Sequence, residues 1–137
     1  MTRQATAVWN GSGKEGSGKL STQSTTLNQT QYSYKSRFEE GVGTNPEELM
    51  AAAHAGCFAM KLSFVIGAGG FTPESIDVNC GITLSEGAIT KSHIVVKAVV
   101  PGMLPEQFAE AAADAKTNCP VSIAFGKLEI TMEATLS

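Results

Sequence analysis

The chain reads as an α+β protein with mainly antiparallel strands. Three observations predict this class: two stretches with helix-start signals, a pair of long alternating apolar runs meeting at Glu86-Gly87, and shorter alternating runs near both ends. The expected order is three strands, a helix, two strands, a helix and a last strand.

Arg3 to Asn10 forms the first short strand, ending near Trp9. Gly11 to Lys19 is rich in Gly, Ser and Lys and reads as a hairpin loop. A second strand follows through Leu20 to Leu27. Asn28 to Gln31 turns the chain, and Tyr32 to Phe38 reads as a third strand before the Gly-rich loop Glu39 to Thr44. The next start is marked three times over. Asn45 is placed to cap, Pro46 suits the first helical position, and Glu48 lies three residues past the cap as in a capping box. Glu47 and Glu48 also complement the positive end of the helix dipole. The helix runs to Val65 or Ile66, where Gly67, Gly69 and Gly70 end it. Its middle, Ala51 to Gly56, is small on nearly every side, which allows another helix to approach closely.

Ile76, Val78, Cys80, Ile82 and Leu84 alternate onto one face of a long strand. Ile89, Ile94, Val96, Ala98 and Val100 supply its partner, and the odd spacing at Ile89 points to a bulge or a late strand start. Pro105 to Lys116 is a second helix that places Phe108, Ala112, Ala115 and Cys119 on one face, and Pro120 stops it. Leu128, Ile130, Met132, Ala134 and Leu136 form the last strand.

A chain of 137 residues, 42% apolar and 17% charged, fits one globular domain, 1–137, with a real core. The net charge of −3 and the lack of a Lys/Arg cluster give no case for nucleic acid. The residues from Met1 to Trp9 lack the apolar stretch of a signal peptide, and Leu49 to Gly70 is broken by His54, Lys61 and glycines, so no membrane span is assigned. The expected compartment is the cytoplasm. Three cysteines, an odd number, argue against a secreted disulfide framework there.

Cys80, on the apolar face of a strand, reads as a small core residue. Cys57 and Cys119 each close a helix-like run, and the residues alone leave core packing and function both open. His54, one turn before Cys57, reads first as a packed or hydrogen-bonded histidine. As a base for Cys57 it would suit a hydrolase or acyl-transferase, although no orienting carboxylate accompanies it. His54, Cys57 and Cys119 lack the spacing of a standard zinc motif, so neither a metal nor a cofactor is assigned.

Three segments together carry a family resemblance: Gly43 to Phe58, the Ala-Lys-Thr-Asn-Cys-Pro-Val-Ser run around Cys119, and Arg37-Phe38-Glu39. The chain resembles the OsmC/Ohr family of osmotically inducible and organic-hydroperoxide-resistance proteins. Ala-Ala-Ala-His-Ala before Cys57 and Arg37 before the helix put it nearer the OsmC branch. The resemblance implies sheets wrapped around two central helices in an intertwined homodimer with two interface sites. It also implies a thiol-dependent peroxidase acting on organic hydroperoxides and more slowly on hydrogen peroxide. Carried over by position, Cys57 matches the peroxidatic cysteine, Cys119 the resolving one, and Arg37 and Glu47 the accompanying charged pair. The reductant implied is an external dithiol, small or lipoyl-type.

Chemistry bears on these roles. A free thiol titrates near about 8.5, and Cys57 lies too far into its helix for the dipole to activate it, so it needs a cation such as Arg37. Glu47 and Cys57, ten residues apart on one helix, are separated by about 15 Å along its axis. If Glu47 serves the Cys57 site, it comes from a second subunit whose central helix crosses the first. Phe38, Met50, Phe58, Phe108 and Phe125 read equally as apolar walls of the site and as plain core. The alternative from another class is a cysteine-pair redox sensor or binding module without efficient turnover.

Overall fold

The computed structural model describes residues 1–137 and contains ten elements. It forms two compact units, Met1–Leu49 and Met50–Ser137. The class is α+β, as the sequence predicts.

In the first unit β1 (Ala5–Asn10), β2 (Ser17–Thr22) and β3 (Thr30–Ser33) form an antiparallel sheet in that order. The predicted third strand is corrected. It ends at Ser33, and Tyr34–Phe38 is a short helix, α1. The cause is local hydrogen bonding. Ser33 Oγ accepts from the Ser36 amide at 3.3 Å, and Ser36 Oγ accepts from the Ser33 amide at 2.8 Å, a capping box that outcompetes strand pairing. Gly43 has φ of 106°, and a Cβ there would run into the Gln31 carbonyl. That glycine lets Thr44 pair beside β3, its amide donating to Gln31 O at 2.9 Å.

The long helix α2 spans Pro46–Ala68, two or three residues beyond the expected end at Val65 or Ile66. Asn45 Oδ1 accepts from the Glu48 amide at 2.8 Å, so the cap forms as predicted. The Glu48 carboxylate takes the Thr44 hydroxyl at 2.7 Å instead of reaching back to Asn45, so the capping box is only half made. By length and mean hydropathy (1.6) α2 is long and apolar enough to cross a membrane, a test that the core helix of a soluble protein also passes. Its buried stripe is His54, Phe58, Leu62 and Ile66, four residues apart.

β4 (Ser75–Ser85) and β5 (Ala88–Val99) form an antiparallel hairpin through Glu86-Gly87, both at positive φ. Leu84 faces Ile89 while Thr83 faces Lys91, so Thr90 is the extra residue of the expected bulge. α3 covers Pro105–Asn118, and Pro120 opens a further short helix, α4 (Pro120–Ala124), where the sequence reading had only a stop. Pro lacks an amide hydrogen and ends one helix, yet suits the first turn of the next. β6 (Glu129–Leu136) returns parallel to β5 and gives the order β4-β5-β6. The mainly antiparallel expectation holds for three of the four strand pairs. The exception follows from the α3–α4 crossover, which brings the chain back to the same end of the sheet. Ile94, Val96 and Ala98 of β5 and Phe108, Ala112 and Ala115 of α3 join the α2 stripe in the core.

Candidate active site

The four predicted site residues fall into two pairs. In the first unit, Arg37 stands in α1 and Glu47 in the first turn of α2. Asn45 ties the two helices: its Nδ2 donates to Ser36 O at 2.9 Å while its Oδ1 caps α2. The guanidinium meets the carboxylate side-on, with Nε and Nη2 donating to Glu47 Oε1 at 3.0 and 2.9 Å. This fork fixes the plane of the guanidinium. The Phe38 ring, 5.2 Å from Arg37 Cζ, flanks it.

In the second unit, Cys57 lies at the middle of α2 and Cys119 at the junction of α3 and α4. Their sulfurs are 3.0 Å apart and both cysteines are free thiols. Cys119 is fully buried; Cys57 is partly exposed. A disulfide needs the sulfurs only about 1 Å closer. Burial pushes the Cys57 thiol up, the neighbouring Cys119 adds to this, and the Val121 amide and the Lys61 ammonium pull the other way. Burial opposes ionisation of Cys119 too, but the neighbouring Cys57 thiol and the polar groups of Ser122 and Val121 lower it overall. The sequence reading singled out Cys57 as the sulfur needing a cation, and the raised Cys57 thiol sharpens that need. It missed Lys61, one turn beyond Cys57, whose i, i+4 spacing was the available signal.

His54 is fully buried, with Nδ1 2.6 Å from Ser92 Oγ and Nε2 2.8 Å from Ser122 Oγ. Both nitrogens are thus occupied by serines, as the hydrogen-bonded reading expects, and neither is free to serve as base for Cys57 in a hydrolase. Burial lowers its basicity, so the ring is neutral. Cys80 packs against the core as predicted, with its sulfur 3.2 Å from Ser92 Oγ. No group of three or more His, Cys, Asp and Glu side chains is arranged to hold a metal ion. Of the residues read as wall or core, Phe58 and Phe108, 0% and 2% exposed, are interior core. Met50 and Phe125 line an open apolar groove of about 400 Å³ with Ile89, Ile123 and Leu128.

Fold and thiols together define a class: an α+β protein whose two long helices bring a pair of reduced cysteines into contact. Residues 39–135 match the family of OsmC-like proteins, and the chain belongs to it. It is 44% identical to "Peroxiredoxin OsmC" of Escherichia coli over 98% of this chain and 96% of the relative, and equally to that of Shigella flexneri, which places it in the OsmC branch. Among solved structures it resembles an OsmC-like protein of Mycoplasma pneumoniae (TM-score 0.78, 15% identity, 99% of this chain and 97% of that one). It also resembles the organic hydroperoxide resistance protein OhrB of Bacillus subtilis (TM-score 0.71, 21% identity, 96% and 97%). These structural likenesses concern the fold.

Proposed function

We propose that this chain is a cysteine-based peroxidase that reduces organic hydroperoxides, and more slowly hydrogen peroxide. The observation that carries the reading is the 3.0 Å contact between the Cys57 and Cys119 sulfurs in a chain 44% identical to a peroxiredoxin. The Cys57 thiolate attacks the terminal peroxide oxygen, the O–O bond breaks, and alcohol leaves after taking a proton. Cys57 is then a sulfenic acid. Cys119 attacks its sulfur, water departs, and a disulfide joins α2 to the end of α3. An external dithiol, small or lipoyl-type, reduces the disulfide and is itself oxidised. No bound cofactor enters these steps.

The raised Cys57 thiol needs a cation at the reacting sulfur, and we assign Arg37 to this, aimed by Glu47. A homodimer with crossing α2 helices supplies Glu47, and the Arg37 paired with it in the same chain, from the second subunit. The helix supports this. Ala52, Ala53, Gly56, Met60 and Phe64 are exposed along one side, and a Cβ on Gly56 meets nothing within 4 Å. The small residues there are not required by the protomer's own packing. We read all 137 residues as one OsmC-like domain and place the protein in the cytoplasm, where free thiols persist.

The test follows loss of cumene hydroperoxide and of hydrogen peroxide by the reduced protein in excess dithiol, beside Cys57→Ser and Cys119→Ser. Sustained turnover that is faster with the organic peroxide and vanishes in Cys57→Ser is the expected result. Oxidation by one equivalent without turnover would instead identify a redox switch. No oxidation at all would return both cysteines to core packing. Sedimentation of the native protein at twice the protomer mass tests the dimer, and a monomer overturns it.

A further inference from the structure

In the first unit, four aromatic rings and Arg37 line a cleft of about 240 Å³. The sheet builds one half of it. Trp9 of β1 and Tyr32 of β3 both stand opposite Gly18 on the middle strand β2. Their rings meet over that buried glycine with centroids 5.4 Å apart and planes tilted by 60°. A Cβ on Gly18 would run into both rings, so glycine leaves the space that they occupy. The indole is pinned as well, its Nε1 donating to Gly11 O and Ser12 O at 3.1 Å each. The short helix α1 builds the other half. Tyr34 and Phe38, four residues apart on it, form a second pair with centroids 4.8 Å apart.

Arg37 gives Nε and Nη2 to Glu47, while Nη1 makes no hydrogen bond within the chain. An aromatic cleft is thus bordered by a guanidinium with donors to spare, and no carboxylate lines it. Rings prefer to meet other rings edge-on or offset, so these walls favour an aryl group. A cavity of about 150 Å³ suffices for benzene, and this cleft takes one ring with a short branch. The chemistry of the first peroxidase step says where such a group belongs. The Cys57 electron pair forms an S–O bond to the terminal oxygen and the O–O bond breaks. Negative charge then passes to the oxygen that carries the tail, which leaves as alcohol after taking a proton from solvent. A seat for the tail beside the cation brings that oxygen to the donor that stabilises it.

We propose that the cleft between Trp9, Tyr32, Tyr34 and Phe38 selects aryl hydroperoxides: it seats the ring while Arg37 Nη1 donates to the peroxide oxygen on the tail. The inference rests on the peroxidase reading, with Arg37 serving the reacting sulfur, and deepens it by naming a substrate class. Cumene hydroperoxide and tert-butyl hydroperoxide share the same branched carbon and differ by one phenyl group. Comparing them isolates what the ring contributes.

Two measurements on the full chain test this, and the first needs no peroxide. Trp9 is the only tryptophan, so its fluorescence reports on the cleft directly. Titrating the reduced protein with 2-phenyl-2-propanol, the alcohol product of cumene hydroperoxide, should give a saturable change, and tert-butanol should give none. Phe38→Ala and Tyr32→Leu should each raise the midpoint about tenfold, the effect of losing one ring contact. Phe38 is 50% exposed, so its removal leaves the fold intact. No saturable change in the parent, or an unmoved midpoint in either variant, overturns the proposal. The second measurement is the ratio of kcat/KM for cumene hydroperoxide to that for tert-butyl hydroperoxide in excess dithiol. It should fall about tenfold in each variant. Variants that slow both peroxides equally would mark a disturbed guanidinium rather than a lost ring seat, and would also overturn it. A parent that turns over neither peroxide, yet keeps the saturable fluorescence change, would count against the peroxidase reading instead.

Discussion

The two halves of the proposed chemistry are held in contrasting surroundings. The Arg37–Glu47 pair belongs to a unit whose buried residues are Gly18, Ser36 and Thr44, small or polar, and whose β1 is exposed along its whole length. The Cys57–Cys119 pair belongs to the unit that contains every buried apolar residue of the core, from Phe58 to Cys119. One region fixes its functional group by a charged fork in water, the other by close packing in a dry interior. Charge is inexpensive to keep in water but weakly felt there, whereas a thiol is easily buried yet loses its acidity. A thiol peroxidase needs both a cation and a protected sulfur, and in the proposed function different parts of the chain meet the two demands.

The largest expected effect lies at the sulfur. Cys57→Ser should remove peroxide turnover altogether, while Cys119→Ser should keep the first reaction with peroxide and accumulate trappable sulfenic acid. Loss of the first reaction in both variants would contradict the division of roles. Next, Arg37→Ala should lower the rate of peroxide attack by about 10²-fold, typical of losing one preorganised donor. Arg37→Lys should recover little because the two-point fork is lost. The same changes should alter stability by less than about 1 kcal/mol, since the pair is solvent-screened. An Arg37→Ala variant as fast as the parent would place the activating cation elsewhere, with Lys61 next in line.

In the packed region the order of effects reverses. Phe58→Ala should destabilise by about 3–5 kcal/mol in denaturant unfolding, against roughly 0.5 kcal/mol or less for exposed Phe38→Ala. The smallest effect is one of pH. His54 is less basic in the folded chain than the ordinary value of 6.5. The unfolded chain takes up that proton first as pH falls. The His54 contribution to stability is therefore complete above about pH 6.5 and declines as pH drops toward the lowered folded value. Urea midpoints measured from pH 7.5 down to 5 should show a fall that is shallower in His54→Gln. Parallel curves would place the titration on other groups.

Much of the molecule was legible residue by residue because the deciding forces are local. Asn45 and Pro46 announce α2, Glu86-Gly87 announces the hairpin, and the spacing at Ile89 announces the bulge. Where local signals competed, the reading failed. Alternation through Tyr32 to Phe38 suggested a strand, but two serine hydroxyls closed a turn of helix. Pro120 looked like a stop and proved also to be a start.

The sequence by itself determined the class and the family, and it singled out two thiols as candidates, since these depend on residue types at short spacings. Only the tertiary structure decided what those residues meet. Cys57 and Cys119 lie 62 positions apart, and nothing in their neighbourhoods states that their sulfurs come within 3.0 Å. Ser92 and Ser122, 38 and 68 positions from His54, were invisible as its partners because a serine on a strand or after a proline is ordinary until a buried ring stands between them. The parallel return of β6 and the positions of these hydroxyls arise from long-range packing, in which the free energy of burial selects one arrangement of many that the local pattern allows.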